Sequence, residues 1–132
     1  MTECVKRIDF NVCGDERGSL VALEKGCNLP FDVKRVYYIF DTGPDVTRGC
    51  HAHRNLKQML VALSGRVDVT CEYGDRKETF TLDDPASGLL IEGRVWRTMT
   101  GFAPGTVLMV LASEYYNEAD YIRDYGIFLK KK

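Results

Sequence analysis

Only two of the 132 residues are histidines, and they stand two positions apart in Arg48-Gly49-Cys50-His51-Ala52-His53. Side chains alternate along a strand, so this spacing sends both imidazoles to one face. Such a pair has three uses: metal ligands, acid/base groups, or structural polar residues. Histidine titrates near ~6.5, which suits proton transfer at neutral pH. Any histidine chemistry in this chain therefore falls to His51 and His53.

Two further positions decide between metal and proton. Gln58 follows His53 after four residues, and Arg97 lies on a later apolar segment, Ile91-Glu92-Gly93-Arg94-Val95-Trp96-Arg97. Together these make the pattern HxH-x(4)-Q-x(6)-G with a distant fourth residue. It resembles the two cupin motifs, in which three histidines and one glutamate hold a metal. Here glutamine stands for the glutamate and arginine for the third histidine. Arginine has no lone pair and stays protonated. Two neutral imidazoles beside a fixed cation make a poor site for a divalent ion. No metal is expected, and His51 and His53 are left for acid/base work.

The elements that must position them are short. Apolar runs recur every eight to twelve residues between turn residues. Strands are expected over Cys4–Phe10, Ser19–Glu24, Lys34–Phe40, His51–His53, Lys57–Leu63, Arg66–Tyr73, Lys77–Leu82, Gly88–Ile91, Val95–Thr100 and Thr106–Ala112. Alternation is clearest in Arg66–Tyr73, and Tyr73-Gly74-Asp75-Arg76 reads as a hairpin turn. Only the C-terminus reads as helix, with Asn117 as N-cap, Glu118 and Asp120 in the first turn and Lys130-Lys131-Lys132 at the end. Many strands and one late helix predict an all-β sandwich or barrel. The cupin resemblance, which covers Lys34 through Ala112, implies a double-sheet jelly roll, here with a short C-terminal helix.

Composition narrows the partners. At 132 residues the chain is expected to be a single domain, 1–132. Eighteen basic against nineteen acidic residues argue against nucleic acid as a partner. The longest uncharged run, Thr98–Ser113, is too short and too broken by glycine and proline to cross a membrane. The five cysteines are odd in number and lack CxxC spacing, and the N-terminus lacks an apolar signal core, so a cytoplasmic protein is expected.

Arg17, Arg48 and Arg97 are candidate clamps for an anionic substrate, because a guanidinium pairs with phosphate oxygens through a planar fork. Tyr37 shares a strand face with Arg35 and Ile39, and Val36, Tyr38 and Phe40 share the other. Parity alone does not say which face is inside. Trp96 adjoins Arg97 and is a candidate to stack on a base or to pack between subunits.

The stretches TRGCHAHRNLKQMLVALSGRVDVT, GLLIEGRVWRTMTGF and VLMVLASEYYNEADYIRDYGIFL resemble the sugar 3,4-ketoisomerases, the WxcM-like cupins that act on dTDP-4-keto-6-deoxyglucose. The resemblance covers nearly the whole chain. Family members often carry prolines where this chain has Glu92-Gly93; Trp96-Arg97 stay in register. The resemblance implies an isomerase with no metal and no redox cofactor, in amino-deoxysugar synthesis for surface polysaccharide such as the O-antigen of lipopolysaccharide. It implies catalysis by His51 and His53, with His51 removing the C3 proton. Tyr37, Arg48 or a protonated His53 would stabilise the enediolate. Arg17, Tyr37, Arg48, Trp96 and Arg97 would bind substrate. It also implies a homodimer, in some members with exchanged N-terminal strands. The alternatives are a 3,5-epimerase on the same substrate, which needs a His–Asp pair that the motif lacks, and a non-catalytic cupin that binds a sugar nucleotide.

Overall fold

The computed structural model describes residues 4–130. Lys131 and Lys132 of the basic tail, and the first three residues of the N-terminus, lie outside the described residues. Two five-stranded antiparallel sheets face each other. The first runs in the order β1 (Val5–Asp9), β9 (Ser87–Glu92), β6 (Lys57–Ser64), β11 (Val107–Ala112), β4 (Arg35–Ile39). The second runs β12 (Tyr121–Ile122), β5 (Arg48–His53), β10 (Trp96–Thr100), β7 (Val67–Tyr73), β8 (Arg76–Leu82). A small hairpin, β2 (Cys13–Asp15) with β3 (Gly18–Leu20), stands apart. This is the expected jelly roll.

The main core lies between the sheets. Leu60, Leu89, Ile91, Leu108 and Val110 of the first meet Val67, Val69, Cys71 and Met99 of the second. Strand β7 shows how the pattern makes the layer: Val67, Val69, Cys71 and Tyr73 are buried, and Asp68, Thr70 and Glu72 are only partly covered. Strand β6 does not alternate, because both of its faces are covered. Leu60 and Ala62 point into the main core, while Met59 and Val61 pack outward against Phe10, Leu29 and Phe31. Each such side chain contributes about 1.5–3 kcal/mol by leaving water.

Three expectations are corrected. The strand foreseen over Ser19–Glu24 stops at Leu20. Beyond it the Asn28 side chain accepts from Glu24 N at 2.9 Å and donates to Ala22 O at 2.8 Å, so that backbone bonds to a side chain and not to a ladder. Strand β2 was not foreseen; its three residues are exposed and carry no apolar alternation. The C-terminal helix comes in two pieces. Asn117 does cap a turn, its Oδ1 accepting from Ala119 N at 3.1 Å, but that turn is a 3₁₀ turn ending at Asp120. Tyr121–Ile122 then pairs with His53 and Ala52 as β12, and a separate helix α1 follows over Tyr125–Lys130. Among the described residues no helix is long and apolar enough to cross a membrane.

Candidate active site

The site is built on β5 and its neighbours. Arg97 of β10 is the cross-strand partner of His51, and the next pairing joins Thr98 to Gly49. Cys50 is therefore the extra residue of a β-bulge, held at φ 57° after Gly49 at φ 84°. Alternation counted back from His51 would place Arg48 on the opposite face. The inserted residue reverses that parity, so Arg48 pairs with the inward-facing Met99 and joins the histidine side. Gly49 is required on two counts, its positive φ and the 3.0 Å that would separate a Cβ from Arg97 O.

His51 and His53 meet edge to face, with ring centroids 4.8 Å apart. Tyr121 touches both, at 5.0 and 4.4 Å. Their outer nitrogens are spoken for. His51 Nδ1 lies 3.1 Å from Gly49 O, and a carbonyl only accepts, so Nδ1 carries the proton. His53 Nδ1 lies 3.1 Å from Asp120 Oδ2, whose other oxygen accepts from Asn55 N at 2.9 Å and Arg54 N at 3.2 Å. Both imidazoles thus turn a bare Nε2 lone pair away from these anchors. His53 Nε2 is buried and has no partner among the described residues.

Charge keeps those lone pairs free. Burial, and then the Arg97 cation, lower His51 to about 4. Burial, Arg97 and His51 lower His53 to about 2. Both histidines are neutral at pH 7, the state a general base requires. A protonated His53 is accordingly not the resting state of this site. Cys71 is pushed up to about 12 by burial, which leaves it a thiol and no nucleophile.

Arg97 is 1% exposed. Its Nη1 donates to Gln58 Oε1 at 2.5 Å and its Nε to Val95 O at 3.3 Å. Gln58 Nε2 in turn donates to the Tyr37 hydroxyl at 3.1 Å. This chain of bonds crosses the interior from the second sheet to the first. It also tests the cupin metal. Of the four motif positions, Gln58 has committed its oxygen to a guanidinium and Arg97 brings positive charge to the centre. These donors do not fit a divalent cation. No cluster of three His, Cys, Asp or Glu able to hold one exists among the described residues.

A cavity of about 340 Å³ opens over His51, lined also by Tyr37, Arg35, Arg48, Tyr121 and Arg123. A neighbouring hollow of about 520 Å³ reaches His53, Asp120 and Tyr116 and shares Arg35 and Tyr121 with the first. Arg123 stacks on Tyr121 at 4.2 Å and is tied to Glu118 at 2.6 Å, an arginine partner that holds Glu118 down to about 2. Three guanidiniums around one cavity suit an anion.

Of the residues singled out from sequence, His51, His53, Tyr37, Arg48 and Arg97 come together. Two do not. Arg17 sits at the tip of the β2–β3 hairpin, exposed and paired with Asp15 at 2.7 Å, away from the histidines of its own chain. Trp96 faces the other side of the second sheet, because it is one residue from the inward Arg97. It packs under α1 against Phe128 and Tyr125, which leaves it no route to a base in this cavity. Arg35, Asp120, Tyr121 and Arg123 were missed. Three of these belong to the tail D-Y-I-R that read as helix; Arg35 stood beside Tyr37 on its strand face.

Residues 3–132 match the family model described as FdtA, WxcM-like, C-terminal. The chain is 50% identical over 125 residues to the TDP-4-oxo-6-deoxy-α-D-glucose-3,4-oxoisomerase of Aneurinibacillus thermoaerophilus, covering 95% of this chain and 90% of that one. Among solved structures it is similar to a histidine-to-asparagine variant of the 3,4-ketoisomerase QdtA from Thermoanaerobacterium thermosaccharolyticum in complex with TDP-4-keto-6-deoxyglucose. The TM-score is 0.94 at 43% identity, with 98% of this chain and 94% of that one covered. The WlaRB TDP-quinovose 3,4-ketoisomerase of Campylobacter jejuni gives 0.94 at 45% identity, covering 98% and 100%.

Proposed function

The chain belongs to the FdtA family of WxcM-like proteins, and from that premise we propose that it isomerises dTDP-4-keto-6-deoxyglucose to a dTDP-3-keto-6-deoxyhexose by acid/base transfer on His51 and His53. The observation that carries the residue assignment is the bare Nε2 of a neutral His51 beside the cavity that Tyr37 and Arg48 line.

The substrate's C4 ketone acidifies the C3 hydrogen. His51 Nε2 takes that proton, the C–H electrons form the C3–C4 double bond, and O4 becomes an oxyanion. The Tyr37 hydroxyl and the Arg48 guanidinium are the donors placed to hold it. The hydrogen on O3 passes to O4, and a proton returns to C4 as the O3 carbonyl forms. His53, held by Asp120, is the second group able to carry a proton in this exchange. Each acid/base transfer is worth roughly 10²–10⁴-fold. Arg35 and Arg123 suit the diphosphate. No metal takes part in this scheme, since Gln58 and Arg97 replace its ligands.

Incubation with dTDP-4-keto-6-deoxyglucose in deuterium oxide tests the reading. A 3-keto product with solvent deuterium at C4 supports it. The His53–Asp120 pair supplies one feature of a 3,5-epimerase, and exchange at C3 and C5 with the ketone kept at C4 would establish that reading instead. No exchange at all would leave a sugar-nucleotide-binding module.

The same proposal takes residues 1–132 as one domain acting in the cytoplasm, in keeping with five cysteines that are all free thiols. It also takes the protein as a homodimer. Val36 and Tyr38 on the outer face of the edge strand β4, with Phe40 just past its end, form an exposed apolar row, a surface that favours being covered. Strand β1 pairs with β9 of its own chain, the edge at which N-terminal strands would exchange.

A further inference from the structure

We propose that Gln58 is a positioning residue for the isomerisation: it fixes Tyr37 as a hydrogen-bond donor toward the sugar oxygens. The inference rests on the function proposed above and deepens it.

A guanidinium has donors only, so the group of Gln58 that faces Arg97 at 2.5 Å must be its carbonyl oxygen. The amide orientation is thereby set by chemistry. Its NH₂ is left pointing at Tyr37, 3.1 Å away, and an NH₂ only donates. The Tyr37 oxygen must accept this bond. Its own hydrogen has no acceptor among the described residues, and the ring lines the cavity beside His51. The hydroxyl proton is therefore free to turn to a ligand oxygen. Burial raises the Tyr37 pKa, which keeps the phenol protonated and able to donate.

The register explains how three strands deliver this. Gln58 and Arg35 both pair with Ala112 of β11, and Tyr37 stands two residues further along β4 on the same inward face. Arg97 reaches across from β10. Gln58 itself is 1% exposed and lies beneath Tyr37 with no need to touch substrate. A glutamate at this position would reverse the relay. Its carboxylate accepts from Arg97 and also from the Tyr37 hydroxyl, which draws the phenolic proton inward. Glutamine is the residue that both satisfies a buried arginine and leaves the tyrosine proton outward.

The test is Gln58→Glu, a near-isosteric change that keeps an acceptor for Arg97. Turnover of dTDP-4-keto-6-deoxyglucose is compared with wild type on the pH plateau of each protein. The expected result is a fall in kcat of about 10²-fold, the scale for a lost oxyanion donor, with KM held within about threefold. In a Tyr37→Phe background the same change should cost less than about threefold, because the group it misdirects is already gone. Should the glutamate variant fold poorly, Gln58→Met removes the amide donor without adding charge, and kcat should fall about tenfold. NMR of carbon-labelled tyrosine reads the Tyr37 hydrogen bond without substrate, and its signal should move in Q58E. A kcat near wild type in both variants, or equal losses with and without the Tyr37 hydroxyl, overturns the proposal. A wild-type protein that leaves the 4-keto sugar untouched overturns the function instead, and the tyrosine signal still decides the hydrogen-bond direction.

Discussion

Arg97 stands opposite His51 in the pairing of β10 with β5, so a buried cation is the cross-strand neighbour of the proposed base. After burial, that cation is the largest influence lowering His51 to about 4. The acid limb of kcat/KM should accordingly lie near pH 4 and not near the ordinary histidine value of ~6.5. Arg97→Met removes the neighbouring charge and should move the limb upward. A pH–rate profile measures both. A wild-type limb at ~6.5 would remove Arg97 from the control of His51.

Stability should carry the same sign. His51 and His53 have folded-state pKa values below their unfolded ones. The unfolded chain binds more protons below ~6.5, so folding is favoured fully above that pH and loses stability as the pH falls toward about 4 and beyond. Thermal melts should show Tm falling over this window. His53→Asn removes one of the two titrations and should flatten the fall. An unchanged slope would mean that His53 titrates normally.

Asp120 should matter through the tautomer it selects. Its carboxylate accepts from His53 Nδ1, which leaves Nε2 as the lone pair. In Asp120→Asn the amide oxygen still satisfies Arg54 N and Asn55 N, but the amide NH₂ faces Nδ1 and forces the proton to Nε2. Turnover should fall by about 10²–10⁴-fold with the fold retained. Nitrogen NMR of the imidazoles reads the tautomer directly. Full activity with the flipped tautomer would show that His53 carries no proton in the reaction.

Trp96 separates packing from recognition. It is buried under α1 beside Phe128. Trp96→Ala should cost about 3–5 kcal/mol, the usual loss for a buried large aromatic. Trp96→Phe keeps most of the packing and should leave KM for the sugar nucleotide within about twofold. Chemical denaturation and steady-state kinetics measure the two effects. A large rise in KM for the phenylalanine variant would return Trp96 to the ligand.

The sheets were legible because each inward face leaves a period of two, as in Val67, Val69, Cys71 and Tyr73. The site was legible where residues share a strand with the histidines or a motif position with them: His51, His53, Gln58 and Arg97. It was not legible where contacts are made by return of the chain. Asp120 and Tyr121 reach His53 only because Tyr121–Ile122 adds to the edge of β5, and a two-residue strand leaves no period to read. Their carboxylate after an asparagine looked like the first turn of a helix, which it is for a single turn. Trp96 lies apart from the cavity for the opposite reason. It adjoins Arg97 in sequence, and in a strand adjacency means the other face.

The bulge at Cys50 is the least legible feature and the one on which the geometry depends most. Two successive residues with positive φ, Gly49 and Cys50, take Arg48 out of strict alternation and bring it to the cavity of His51. Gly49→Ala places a Cβ 3.0 Å from Arg97 O in a conformation that L side chains rarely adopt. The strain of a non-glycine residue there is about 1–3 kcal/mol. The chain can relieve it by sliding the bulge, which would return Arg48 to the outer face and tilt His51 away from Gly49 O. The expected outcome is a modest fall in Tm together with a fall in kcat/KM of at least about tenfold, more than the stability loss alone explains. Melting curves and kinetics on the same preparation decide it. A variant that loses Tm but keeps full kcat/KM would show that the bulge serves folding alone and that Arg48 is dispensable.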